Sequence, residues 1–190
     1  MLGPLAVLGN HYDASMRVWP LLLLSLAAAM PAARALDDCQ ADPAAAQRAL
    51  NALRASSHVC GDRQWPAAPA LRWHAALGEA SRRYAVELAS LDRLDHIGID
   101  GATLRTRLHE AGYVMRVSGE NLAGGPQTLD EALAQWLASP THCENLMAAE
   151  FEDFGLACVA SRGRLQRYWV LQMAAPAGKR SVRSSPGRSP

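Results

Sequence analysis

Apolar residues recur at intervals of three and four through most of the chain and at intervals of two only towards its end, which predicts helices followed by a β-hairpin. The first helix opens at Pro43, where a missing N–H costs nothing, and runs to about His58 with Ala46, Ala49, Leu50 and Leu53 on its apolar face. Gly61, Pro66 and Pro69 then make residues 60–69 a loop. The second helix follows Trp73 and runs to about Leu94, with Leu77, Ala80, Tyr84, Leu88 and Leu91 in one stripe and Glu79, Arg82, Arg83 and Glu87 on other faces. A third, over residues 102–111, places Leu104 and Leu108 four apart and stops at Gly112, a C-terminal cap. The fourth opens at Thr128 with a capping box that reaches to Glu131, carries Ala132, Leu133, Trp136 and Leu137, and ends at Pro140. Residues 155–160 and 167–173 then alternate on either side of Ser161-Arg162-Gly163-Arg164, a hairpin with glycine in its connection.

Both ends depart from this pattern. Residues 18–30 form an apolar run preceded by Arg17 and followed by Ala33-Arg34-Ala35, the layout of a secretory signal peptide cleaved after Ala35. At about 13 residues the run is too short to span a bilayer, which needs roughly 20, so no transmembrane anchor is expected in the mature chain. Met16 directly precedes Arg17 and is a second possible start. Residues 36–42 are a short lead-in, and residues 43–176 are expected to form one domain. Residues 177–190 carry four cations and, of large apolar residues, only Val182, so they are expected to stay disordered.

Composition supports a helix-rich domain: of 190 residues, 36 are Ala and 26 Leu against 9 Val and 2 Ile. The formal net charge is +1, with Lys179 the single lysine, so the broad basic field that nucleic-acid binding draws on is missing. Four cysteines, Cys39, Cys60, Cys143 and Cys158, all follow the cleavage site, as expected of two disulfides in an exported, secreted or periplasmic protein. Of the three possible pairings, Cys39 with Cys60 and Cys143 with Cys158 closes two short local loops and is the one favoured. A four-cysteine metal site is disfavoured because no C-x-x-C pair occurs.

Three residues draw attention for their chemistry. His96 follows the end of one helix and His142 the end of another, so the two rings emerge from element termini that can converge, while Glu120 sits in a glycine-flanked segment that lets backbone approach closely. Two imidazoles and a carboxylate can bind zinc with one position open, can set up acid–base chemistry on a water, or can hydrogen-bond one another to hold loops together. His74 and His109 read as surface residues, while His58 lies beside a Cys-Gly turn with no evident acidic partner. Asn121, Ser139 and Asn145 read as loop ties, and Trp136, Tyr168 and Trp169 as core. Ser139 lies in no G-x-S-x-G pattern.

The blocks "DHIGIDG" around His96, "AGY" at 111–113, "GENLAGG" at 119–125, Trp136, "SPTHCENLM" at 139–147, "FGLACVA" at 154–160 and "YWVLQMAAP" at 168–176 resemble, in order and spacing, the signatures of the CAP superfamily in its short bacterial form. That superfamily comprises the cysteine-rich secretory, antigen 5 and pathogenesis-related 1 proteins and is also called the SCP domain family. The resemblance implies an α+β fold, an α-β-α sandwich with a small antiparallel sheet between helices, and a further strand over residues 115–117. It also implies a central cleft lined by His96, Glu120 and His142; a second cleft glutamate common in eukaryotic members is replaced near Ser139. The expected function is binding of zinc or another divalent metal, or of a small or lipidic ligand. The alternatives are a metal-dependent hydrolase acting on peptide or envelope material with Glu120 as base, and an apolar-ligand carrier using a groove outside the cleft. Saturable binding without turnover is the expectation favoured over an enzymatic activity.

Overall fold

In the computed structural model, residues 39–178 are described. The signal segment lies outside them, as does the C-terminal tail apart from its first two residues. The elements run α1 (Pro43–Arg54), β1 (His58–Cys60), β2 (Arg63–Trp65), β3 (Arg72–Trp73), α2 (Ala75–Leu91), α3 (Leu104–Glu110), β4 (Met115–Gly124), α4 (Leu129–Leu137), α5 (Pro140–Met147), β5 (Asp153–Ala160) and β6 (Arg167–Pro176). Among the described residues no helix is long and apolar enough to cross a membrane.

A four-stranded sheet in the order β3-β5-β6-β4 lies between helical layers, the α-β-α arrangement the sequence implied. β5, β6 and β4 pair antiparallel, while the two-residue β3 joins β5 in parallel, so the sheet is mixed at that edge. Side chains alternate across the pleat. On one face Phe154, Leu156, Trp169, Leu171 and Met173 pack with α1, α4 and α5 around Trp136, Leu50 and Leu146. On the other, Ala157, Tyr168, Val170 and Ala174 meet α2 and α3 through Leu77, Tyr84, Leu88 and Leu108. Gly155 permits this closeness, because a Cβ there would stand 2.1 Å from the main chain of Leu77. Trp136, Tyr168 and Trp169 are fully buried, as expected, and the two indole N–H groups donate to the carbonyls of Leu122 and Pro126.

Several boundaries differ from the sequence reading. α1 stops at Arg54 rather than near His58, where its apolar spacing runs out, and residues 60–69 are not simply a loop: β1 and β2 form a hairpin turned by Gly61 at φ 60°. α2 ends at Leu91 rather than near Leu94, and its C-cap residue, Asp92, is in a left-handed conformation at φ 48°. The Asp92 carboxylate caps the β5–β6 connection, accepting from the N–H groups of Arg164 and Leu165 and from the Tyr168 hydroxyl. Pro140 starts a helix rather than merely ending one, since proline at N1 costs no hydrogen bond. The strand expected at residues 115–117 continues to Gly124 and takes Glu120 with it.

The cysteine pairing is corrected. The bridges are Cys39–Cys158 and Cys60–Cys143, with Cα–Cα distances of 5.5 and 5.4 Å, not Cys39–Cys60 and Cys143–Cys158. Tertiary packing decides this: the N-terminal segment lies along β5, where Gln40 Oε1 accepts from the Cys158 N–H, and the β1–β2 hairpin packs against α5, where Cys60, Cys143 and Met147 form a small cluster.

Candidate functional site

The site is assembled around β4, an edge strand, so side chains from both sheet faces reach it. Glu120 pairs across the sheet with Gln172, which in turn pairs with Gly155, and so points to the α2/α3 face. Asn121 points to the other, where its Nδ2 donates to the carbonyl of His142 at 2.9 Å. Asn145 donates to the Glu120 carbonyl and to Asn121 Oδ1, at 3.3 and 3.0 Å, docking α5 on the strand. Gly119 makes room for this, since a Cβ there would lie 2.7 Å from the Phe151 ring and 3.2 Å from Asn145 Oδ1. Asn121 and Asn145 are thus the expected ties; Ser139 is the N-cap residue of α5 but makes no side-chain capping bond.

His96 sits on the loop between α2 and α3, and its neighbours are fixed from several directions. The Tyr84 hydroxyl donates to the Asp95 carbonyl, the Ile97 N–H to Asp95 Oδ1, and the Ile99 N–H to Glu87 Oε1. His96 Nδ1 donates to Glu120 Oε1 at 2.9 Å. The Glu120 side chain is only 3% exposed, whereas that of His96 is 59% exposed, so the imidazole stands at the surface with its carboxylate partner beneath.

Two further residues hold Glu120. Arg107 Nη2 donates to Oε2 at 2.7 Å and Gln172 Nε2 donates to the same oxygen at 3.0 Å. The sequence offered signals for both. Arg107 falls in phase with Leu104, Leu108 and Ala111 on the buried face of α3, and Gln172 is the lone polar residue in the run from Tyr168 to Ala175. The Gln172 Oε1 and Arg107 Nε atoms are buried without a hydrogen-bond partner.

Electrostatics separate the two histidines. The hydrogen bond to Glu120 raises the His96 imidazole above its usual range, while burial, and then the charge of His96, lowers His142. His142 is half-buried near the start of α5. The other histidines stand apart: His74 caps α2 and packs edge-on against Tyr113 at 4.8 Å, His58 bonds the Leu53 carbonyl, and His109 is exposed on α3.

The donor set differs from two imidazoles and a free carboxylate. Both Glu120 oxygens are engaged, and among the described residues no group of three His, Cys, Asp or Glu side chains is arranged to hold a metal ion. What the arrangement does offer is a histidine whose Nδ1–H is held by a carboxylate, so that in the neutral ring the lone pair lies on Nε2; a carboxylate bonded to the other ring nitrogen commonly orients an imidazole that ligates a metal. Elsewhere, a shallow cavity of about 310 Å³ lies between α3 and the start of β4, lined by Arg105, Thr106, His109, Val114 and Met115.

Comparison with known proteins agrees with this architecture. The chain resembles an outer surface protein of Borrelia burgdorferi (19% identity, TM-score 0.55, covering 73% of this chain and 98% of that one). It also resembles a cysteine-rich secretory protein of Staphylococcus aureus (14%, TM-score 0.50, 70% and 38%). An extracellular protein of Bacillus anthracis containing an SCP domain is similar over 56% of this chain at 22% identity and TM-score 0.49; this chain spans 34% of its length. No curated protein matches. The model of the cysteine-rich secretory protein (CAP) family matches residues 47–173, a stretch from within α1 to within β6 that holds the sheet and the histidine site, and the chain belongs to that family.

Proposed function

We propose that this CAP-domain protein is an exported binding protein whose site takes a divalent metal of the zinc class on His96 and His142. The observation that carries this reading is the Nδ1 bond from His96 to Glu120, which favours the tautomer of this exposed ring whose lone pair is on Nε2. His142 supplies a second imidazole, kept in the neutral, ligating form by its burial. A bound metal would supply Lewis acidity and open positions for a small anionic or carbonyl-bearing ligand. The role of Glu120 is to orient His96. A hydrolase reading asks Glu120 for a free oxygen facing bound water, and its two oxygens are instead occupied by His96, Arg107 and Gln172. Two disulfides closing long loops support export to an oxidising compartment, whether secreted or periplasmic.

Zinc titration by calorimetry on the oxidised protein tests the proposal. Saturable binding at one site is expected, abolished by His96→Ala and by His142→Ala and weakened about 10- to 100-fold by Glu120→Gln. Absence of binding in the folded wild type, or binding indifferent to both histidines, would overturn it.

A further inference from the structure

Arg107 belongs to none of the motifs that mark the site, yet its guanidinium reaches His96 by two routes. Nη1 donates to the His96 carbonyl at 3.2 Å and to the Ala102 carbonyl at 2.9 Å. Nη2 donates to Glu120 Oε2, and Glu120 Oε1 accepts from the His96 ring. Main chain, ring, carboxylate and guanidinium thus form a closed circuit. We propose that Arg107 is the positioning residue of the histidine site, setting the direction of the His96 ring by gripping its backbone and its carboxylate partner with one planar fork. This rests on the two-imidazole reading above.

The setting suits that role. The Arg107 side chain is 8% exposed, and its guanidinium carbon stands 3.5 Å from the centre of the Tyr84 ring, which covers one face. Tyr84 in turn bonds the carbonyl of Asp95, the residue before His96. The His96 side chain is exposed and its ring has one hydrogen bond, so its orientation depends on how firmly Glu120 and the loop are held. A lysine at 107 keeps the positive charge beside Glu120, but it is a point charge without a rigid fork and cannot reproduce the same set of bonds in one plane. Charge neutralisation and positioning can therefore be told apart.

The test compares the wild type with Arg107→Lys, and with Arg107→Met where that variant folds, after circular dichroism shows native helix content. Two quantities are read: zinc affinity, and the ¹⁵N shifts of the His96 ring in zinc-free protein at a pH where the ring is neutral. The wild type is expected to show the Nδ1–H tautomer. Arg107→Lys is expected to lose about 10- to 100-fold in affinity, the usual effect of removing support from a ligand, and to shift towards the tautomer mixture of a free imidazole. An Nε2–H tautomer in the wild type, or an unchanged tautomer in Arg107→Lys, overturns the proposal whatever the affinity does. A wild type that takes up no zinc defeats the metal reading alone, and the tautomer comparison still decides the role of Arg107.

Discussion

Arg54 brings a guanidinium into the interior and uses it on main-chain carbonyls: it is fully buried and donates to Pro69, Leu146 and Ala148, the last two at the end of α5. Burial pushes it down to about 10, with Glu150 pulling the other way, so it stays charged at neutral pH. Arg54→Met should leave those carbonyls short of donors and cost about 3 kcal/mol or more, checked by guanidinium chloride melts. Among the titrating residues, His96 gives a pH signature. Its folded value is raised by Glu120, so the stability it contributes is fully present below about 6.5 and is lost as pH rises through the raised value. His142, lowered by burial, acts oppositely and takes stability away as pH falls below about 6.5. With a chelator present, melting temperatures between pH 6 and 9 should therefore fall on the alkaline side in the wild type, and this fall should vanish in His96→Gln. Helix ends and glycines draw attention to His96, Glu120 and His142, but it is the resemblance that groups them into one cleft; a buried arginine looks like any surface arginine until its helical phase is checked.

At the scale of elements, α2 rests directly on β5, with the Ser81 hydroxyl donating to the Gly155 carbonyl. Gly155→Ala would drive a methyl into the backbone of Leu77 and Gly78, where no side chain can move aside. It should cost about 4 kcal/mol or more by thermal melt and disturb the α2 side of the sheet, which carries Glu120. Helices α2, α3 and α4 were readable from periodicity because each has one buried stripe. β4 was only partly readable, for Gly119, Gly124 and Gly125 look like loop punctuation although Gly119 in fact lets α5 approach the strand. α5 was hidden by a proline that begins a helix and breaks none. β5 and β6 are covered on both faces, so polar alternation is weak along them, and the change of period to two together with the glycine-bearing turn marks the hairpin.

At the scale of the whole molecule, the bridges tie distant parts of the chain. Cys39–Cys158 and Cys60–Cys143 span 119 and 83 residues, and closing loops of this length is worth about 4–5 kcal/mol each in the chain-entropy account. Their effects on the site should differ. Cys60–Cys143 anchors the first turn of α5, next to His142, so replacing both of its cysteines with serine should lower zinc affinity as well as melting temperature. Removing Cys39–Cys158 should lower melting temperature alone. The pairing was not legible from spacing, because short loops are cheap to close in the unfolded chain while the folded sheet decides which sulfurs meet. The family and layer architecture were legible from the ordered blocks between His96 and Pro176. On the proposed reading two imidazoles bind the metal while Glu120 stays with His96. A crystal structure of zinc-soaked protein with anomalous data separates this from the alternatives: one zinc peak is expected on His96 Nε2 and a His142 ring nitrogen, with Glu120 still bonded to His96 Nδ1, whereas a Glu120 oxygen bound to the zinc, or no peak at the two histidines, would overturn it.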